Sequence, residues 1–220
     1  MTQKPELLVD LVTDIVCPWC YVGLRSMLNV QDNLARNFDV SLRCRPYQLG
    51  PDTPVEGVDR QAYYESRFPD ADVRAQGRAR LIEAAQRAGF DFDPSIPERL
   101  PNTLDAHRAA RIAASEGAAA PYVRALYDSY WLHGADIGQA TTLADIAEMA
   151  GLDRRGFLAR LECGEKRDET RADAQALRAA GVTGVPTFII NERRGFSGAL
   201  PPADLEAAIR RAANHAEEMH

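Results

Sequence analysis

LLVDLVTDIV over residues 7–16 runs straight into Cys17, Pro18, Trp19 and Cys20, and YVGLRSMLNVQDNL over residues 21–34 follows. The first run is apolar and β-branched, as a strand interior is; the second spaces its apolar residues along one face of a helix. Two thiols at the end of a strand and in the first turn of a helix suit thiol–disulfide exchange, because the positive end of the peptide dipoles favours a thiolate. Cys17, at the N-cap, is expected to be the more exposed and to attack first. Cys20, one turn further in, is shielded and placed to attack a mixed disulfide formed on Cys17. Two plainer readings compete. Half of a zinc site would need two more ligands from Cys44, Cys163 and scattered histidines, and two cysteines can also serve as small core residues. The strand-before, helix-after setting favours the dithiol, and no metal is expected.

Outward from this stretch, Val40–Tyr47 alternates Val40, Leu42 and Cys44 with Ser41, Arg43 and Arg45, so strand, helix and strand succeed one another as a βαβ unit. At 220 residues and 45% hydrophobic content the chain can bury a true core without a disulfide framework. The polar start, and Asp10 and Asp14 within the first apolar run, speak against a signal peptide or a membrane span. A cytoplasmic protein is expected, in which a disulfide is a catalytic transient. The net charge of -6, with no basic run longer than a pair, argues against a nucleic-acid partner.

From Gly50 the texture changes. Turn residues give way to a block that reads as helical as far as Gly181, with breaks at Gly89–Pro101, Gly117–Pro121 and Gly134–Gly138. Asn102 with Asp105 and Thr142 with Asp145 resemble helix N-caps, and Gly89, Gly117, Gly151 and Gly181 sit where left-handed C-caps end helices. Sheet chemistry then returns, with strands at Thr187–Asn191 and Gly195–Ser197, and a helix opening at Pro201 or Pro202. His215–His220 reads as a frayed polar end. The expected organisation is therefore an α/β fold: residues 1–50 and 171–220 form one unit, interrupted by an inserted all-helical domain at 51–170. A second motif, Gly181 to Phe188, places Pro186 at the head of an apolar strand, where its missing N–H is tolerated.

The Cys17–Tyr21 run, Arg45-Pro46-Tyr47, Pro101-Asn102-Thr103 with His107, and Gly184-Val185-Pro186-Thr187-Phe188 together resemble the DsbA-like thioredoxin family, in particular its FrnE group of cytoplasmic dithiol oxidoreductases. The resemblance runs from about Leu7 to Ile209. It implies a thioredoxin fold carrying a helical insertion, with a cis-proline loop facing the dithiol: Pro186 would be the cis-proline, and Val185 the residue whose backbone pairs with substrate. It further implies thiols or disulfides of proteins or small molecules as partners, no permanently bound cofactor, and glutathione as a candidate co-substrate. Relatives in the same class, the 2-hydroxychromene-2-carboxylate isomerases and kappa-class glutathione transferases, usually carry serine at the first position and lack the second cysteine. Glutathione-dependent isomerisation or transfer on a small aromatic substrate is the alternative activity. The strongly oxidising DsbA type has histidine where this chain has Trp19, which brings no charge to the thiolate, so a reducing or intermediate potential is expected. A homodimer is compatible with the sequence.

Asn102 and His107 are candidates to line the cleft, with a capping asparagine and a surface histidine as the plainer alternative. Asp10 and Asp14 interrupt an apolar strand; one of them is a candidate proton acceptor for Cys20, and a strand-end or edge carboxylate is the preferred reading. Tyr127, Tyr130, Trp131 and His133 read as core, Cys44 as buried and inert, and Cys163 as a surface thiol.

Overall fold

The computed structural model describes residues 4–217. Strand β1 (Glu6–Thr13) is followed by helix α1 (Pro18–Ala35) and strand β2 (Asp39–Pro46), which pairs with β1 in parallel. Far along the chain, β5 (Thr187–Ile190) pairs antiparallel with the other side of β1, and β6 (Arg194–Ser197) closes the sheet in the order β2-β1-β5-β6. Pro202 is the first residue of the last helix, α9 (Pro202–Glu217), as its fixed φ favours. The backbone of the polar end is therefore helical as far as Glu217, where fraying was expected, and the remaining residues lie outside those described. Helices α1 and α9 pack on each other, and Leu24, Met27, Leu34, Leu205 and Ile209 meet Leu7, Val9, Leu11 and Phe188 in the core. Dry apolar burial at about 25 cal/mol per Å² is what holds this layer together.

Between β2 and β5 lie α2 (Arg60–Arg67), α3 (Ala71–Arg87), α4 (Leu104–Ser115), α5 (Ala119–His133), α6 (Ala140–Met149), α7 (Arg154–Glu162) and α8 (Arg167–Ala179). They are not the only regular structure in the block. Val58–Asp59 (β3) and Arg99–Leu100 (β4) form a two-stranded antiparallel ladder; two-residue strands have no periodicity to read. Gly89, Gly117, Gly151 and Gly181 all have φ between 77° and 91° and each follows the C-cap residue of its helix, the left-handed position only glycine takes freely. Thr142 does not cap α6. The turn closed by Gly138 N–H on Asp136 Oδ1 (3.1 Å) lets the helix begin at Ala140, so Thr142 falls in its first turn. Caps at which the side chain accepts an N–H come from Asp59, Asp70 and Asp153 instead. No helix among the described residues is long and apolar enough to cross a membrane.

Candidate active site

Strand β1 stops at Thr13, three residues before the end of the apolar run, because the chain turns: Cys17 N–H donates to Asp14 O at 3.0 Å. Cys17 is then the N-cap of α1, with extended backbone (φ -86°, ψ 113°), and its carbonyl accepts from the N–H groups of Cys20 (3.0 Å) and Tyr21 (3.3 Å). Pro18 occupies the first helical position, where no N–H is missed. No side chain caps the helix, so Cys17 stands at an open helix N-terminus. Trp19 projects to solvent at 37% exposure.

All four cysteines are free thiols. Cys20 is fully buried, and Cys17, expected to be open to solvent, is only 5% exposed. It is still the more accessible of the two, but a substrate must shift a neighbour to reach it. Burial pushes the Cys20 thiol well above the ordinary cysteine range, and hydrogen bonding with Cys17 and the charge on it push in the same direction; the Thr13 side chain and the Asp14 backbone pull it down. Thr13 Oγ1 in turn hydrogen-bonds the Tyr127 hydroxyl, which burial keeps protonated. Sequence reasoning passed over Thr13, whose position on an apolar strand carries no chemical signal.

The loop ahead of β5 faces this dithiol. The Val185–Pro186 peptide bond is cis, and Cys17 Sγ lies 3.9 Å from Val185 O. Pro186 packs against α1 at Gly23, where a Cβ would meet Pro186 Cγ at 3.1 Å. Gly23 is thus required by close approach of a helix and the proline ring, a reason not visible from the helical pattern.

Asp10 lies on β1 inside the sheet and is not an edge carboxylate; Asp14 does stand at the strand end, directly after Thr13, but both are interior, at 1% and 0% exposure. Asp10 accepts two hydrogen bonds from Arg43, at 2.6 and 2.7 Å, and serves a structural ion pair across to β2. Asp14 is different. Its Oδ2 accepts from Leu49 N–H at 2.7 Å, while its buried Oδ1 has no hydrogen-bond partner and lies 3.5 Å from His107 Nε2. His107 is 7% exposed, with Nε2 3.1 Å from Tyr47 O, and is therefore neither a surface histidine nor a residue of the outer cleft. Asn102, with Gln48, Leu104, Arg171, Gln175 and Arg178, lines a cavity of about 500 Å³ whose lining includes neither the dithiol nor the Val185–Pro186 loop. Its Oδ1 also accepts from Leu104 N–H (3.0 Å) and Gln48 Nε2 (3.1 Å) and ties down the loop after β2, but the N-cap of α4 is Thr103, one residue later than expected.

Tyr127, Tyr130 and Trp131 are buried, and Trp131 Nε1 donates to Ile15 O at 2.8 Å, propping the turn that carries the dithiol. His133 is exposed rather than core, because it occupies the last turn of α5. Cys44, expected to be buried, is half-buried; desolvation of its thiol and the charge of Asp10 push it up to about 12, which leaves it inert at neutral pH. Cys163 is exposed.

Comparison with known proteins bears on this arrangement. Over 95% of its length the chain superposes on 91% of a probable DsbA oxidoreductase from Streptomyces coelicolor, with a TM-score of 0.82 and 26% identity. A 2-hydroxychromene-2-carboxylate isomerase shares the fold at a TM-score of 0.68 and 19% identity (97% of this chain, 99% of that one). So does the cytosolic disulfide reductase DsbM from Pseudomonas aeruginosa, crystallised with GSH, at 0.63 and 17% (92% and 99%). The last two are likenesses of fold alone. The model of the DSBA-like thioredoxin domain matches residues 8–210, dithiol and proline loop included, and the chain belongs to that family of oxidoreductases and isomerases.

Proposed function

We propose that the protein is a thiol–disulfide oxidoreductase in which Cys17 is the nucleophile and Cys20 the resolving thiol. The observation that carries this reading is the placement of Cys17 at the uncapped N-terminus of α1, its Sγ 3.9 Å from Val185 O, with Cys20 fully buried one turn further into the helix. In the reducing direction the Cys17 thiolate attacks one sulfur of a substrate disulfide. That S–S bond breaks, the departing thiolate takes up a proton, and a mixed disulfide remains on Cys17. Cys20 then loses its proton and attacks Cys17 Sγ, releasing the second thiol and leaving a Cys17–Cys20 disulfide. The substrate has gained two electrons and the enzyme dithiol has lost them; an external dithiol restores the enzyme, and the oxidising direction is the same sequence reversed. Pro18 and Trp19 shape the helix start, and Val185 and Pro186 offer a backbone edge to the substrate. Protein disulfides and small thiols such as glutathione are the partners this chemistry takes, and we place the protein in the cytoplasm.

The test is exchange on insulin and on a small disulfide. Cys17→Ser should abolish both activities, and Cys20→Ser should accumulate mixed disulfides visible by mass spectrometry. Full exchange by both variants overturns the reading. Turnover of an aromatic substrate that needs glutathione and survives loss of Cys20 would instead establish the isomerase or transferase alternative.

A further inference from the structure

Thr13 ends β1, and period two along the strand puts it on the same face as Leu7, Val9 and Leu11, which belong to the core that also holds Cys20 and Tyr127. A polar residue thus closes an apolar row. At 2% exposure it is cut off from water, and its backbone is fixed by Tyr47 N–H, which donates to Thr13 O at 3.0 Å. Tyr127 arrives from α5, 114 residues further along the chain, and is 1% exposed. Its ring stacks on Tyr21, the neighbour of Cys20, with centroids 5.8 Å apart and planes at 11°. Through this ring α5 reaches the first turn of α1.

Thr13 Oγ1 and the Tyr127 hydroxyl bond to each other, and among the described residues no other nitrogen or oxygen bonds to either. The pair therefore carries two hydroxyl hydrogens and one contact. Whichever oxygen donates, one hydrogen is left over in a dry interior, where an unused donor is unfavourable. The phenol is the stronger acid of the two and donates to Thr13 Oγ1, which frees the Thr13 hydrogen. The sulfur of Cys20 is the acceptor at hand. The Thr13 side chain pulls the Cys20 thiol down, against burial, and the Tyr127 phenol feels the charge of Cys20. A hydroxyl pair kept only for packing would leave that hydrogen unused.

We propose that Thr13 is a catalytic residue of the resolving step: its hydroxyl donates to the Cys20 thiolate as that thiolate forms, and Tyr127 is the positioning residue that turns the Thr13 hydrogen toward the sulfur. The inference rests on the dithiol reading above. Once Cys17 is held in a mixed disulfide its charge is gone, and burial is what opposes ionisation of Cys20. Thr13 keeps its own proton and forms no covalent bond. It stabilises the anion that attacks Cys17 Sγ.

The experiment follows reaction with dithiobis(nitrobenzoate) by stopped flow, in protein carrying Cys163→Ser to silence the exposed thiol. Attack by Cys17 releases one coloured nitrothiobenzoate, and attack by Cys20 on the mixed disulfide releases a second, so the two steps are read separately. With the first release as internal reference, Thr13→Val should slow the second about ten-fold or more and move its pH profile upward. Thr13→Ser should restore both rate and profile. Thr13→Val combined with Tyr127→Phe replaces both hydroxyls by apolar groups of similar shape and orphans no donor. This variant should show the same slow second release, and it decides the question where the single variant does not fold. A second release unchanged in rate and pH profile, one slowed only as much as the first, or a serine variant as slow as the valine one overturns the proposal. Wild-type protein that releases a single equivalent has no resolving step, which overturns the dithiol reading and this inference together.

Discussion

Cys17 Sγ and Val185 O lie 3.9 Å apart although 168 residues separate them in the chain. β5 pairs directly with β1, so the loop leading into β5 comes to rest over the helix start that follows β1. A substrate segment laid along Val185 would thus meet the attacking sulfur without any rearrangement of the sheet.

That spacing depends on Gly23. Gly23→Ala places a methyl 3.1 Å from Pro186 Cγ and 3.3 Å from its Cβ, and the loop must yield. Overpacking of this kind costs about 1–3 kcal/mol, offset by roughly 1 kcal/mol of improved helix propensity. The variant is expected to fold with a modestly changed melting temperature and to exchange disulfides several-fold more slowly, as stopped-flow kinetics would show. Unchanged kinetics would mean that the Cys17–Val185 spacing is not used.

Asp14 is a carboxylate buried next to the turn that carries the dithiol, and its Oδ1 has no hydrogen-bond partner among the described residues. Asp14→Asn preserves an acceptor for Leu49 N–H while removing the base, and it is expected to slow release of the mixed disulfide more than its formation. Asp14→Ala leaves that N–H unsatisfied as well and should cost about 1–3 kcal/mol in denaturant titration. Equal effects of the two variants on both steps would reduce Asp14 to a structural role.

The pH dependence has a definite sign. The Cys20 and Cys44 thiols are raised in the folded protein, Cys44 from 9.0 to about 12, so the folded state keeps protons that the unfolded state gives up. Their contribution to stability is complete below pH 9 and is lost as pH rises from there toward the folded-state values. The reduced protein should show a lower denaturation midpoint at pH 10 than at pH 8, with a smaller drop in Cys44→Ala.

Alkylation should separate the four thiols. Brief iodoacetamide treatment of the reduced native protein at pH 7 is expected to label Cys163, which is exposed, and Cys17, which lies at the helix N-terminus. Cys20, which is buried, should be labelled only after denaturation, and Cys44, half-buried with its thiol pushed up, only slowly before it. Peptide mass spectrometry reads the order directly.

Much of the fold was legible because its signals are local. The apolar run before Cys17, the helical spacing after it, the glycines beyond helix ends and Pro202 at a helix start each act through the conformation of a few neighbouring residues. The β3–β4 ladder escaped because two residues are too few to show a period, and Thr142 misled because the turn at Asp136–Gly138 provides an earlier helix start. His107 was misplaced for a different reason. Its burial depends on the loop after β2 folding across it and on Asp14 beneath it, and neither is near it in sequence.

By itself the sequence determined that a dithiol stands where a strand gives way to a helix, because backbone propensity and capping are settled within one or two turns of chain. Only the tertiary structure decided that Asp10 and Asp14 are interior, that Val185 meets Cys17, and that the Asp14 Oδ1 is buried without a hydrogen-bond partner among the described residues. These depend on which strand is central and on what distant segments bring alongside it, and burial and charge pairing are properties of that assembled neighbourhood.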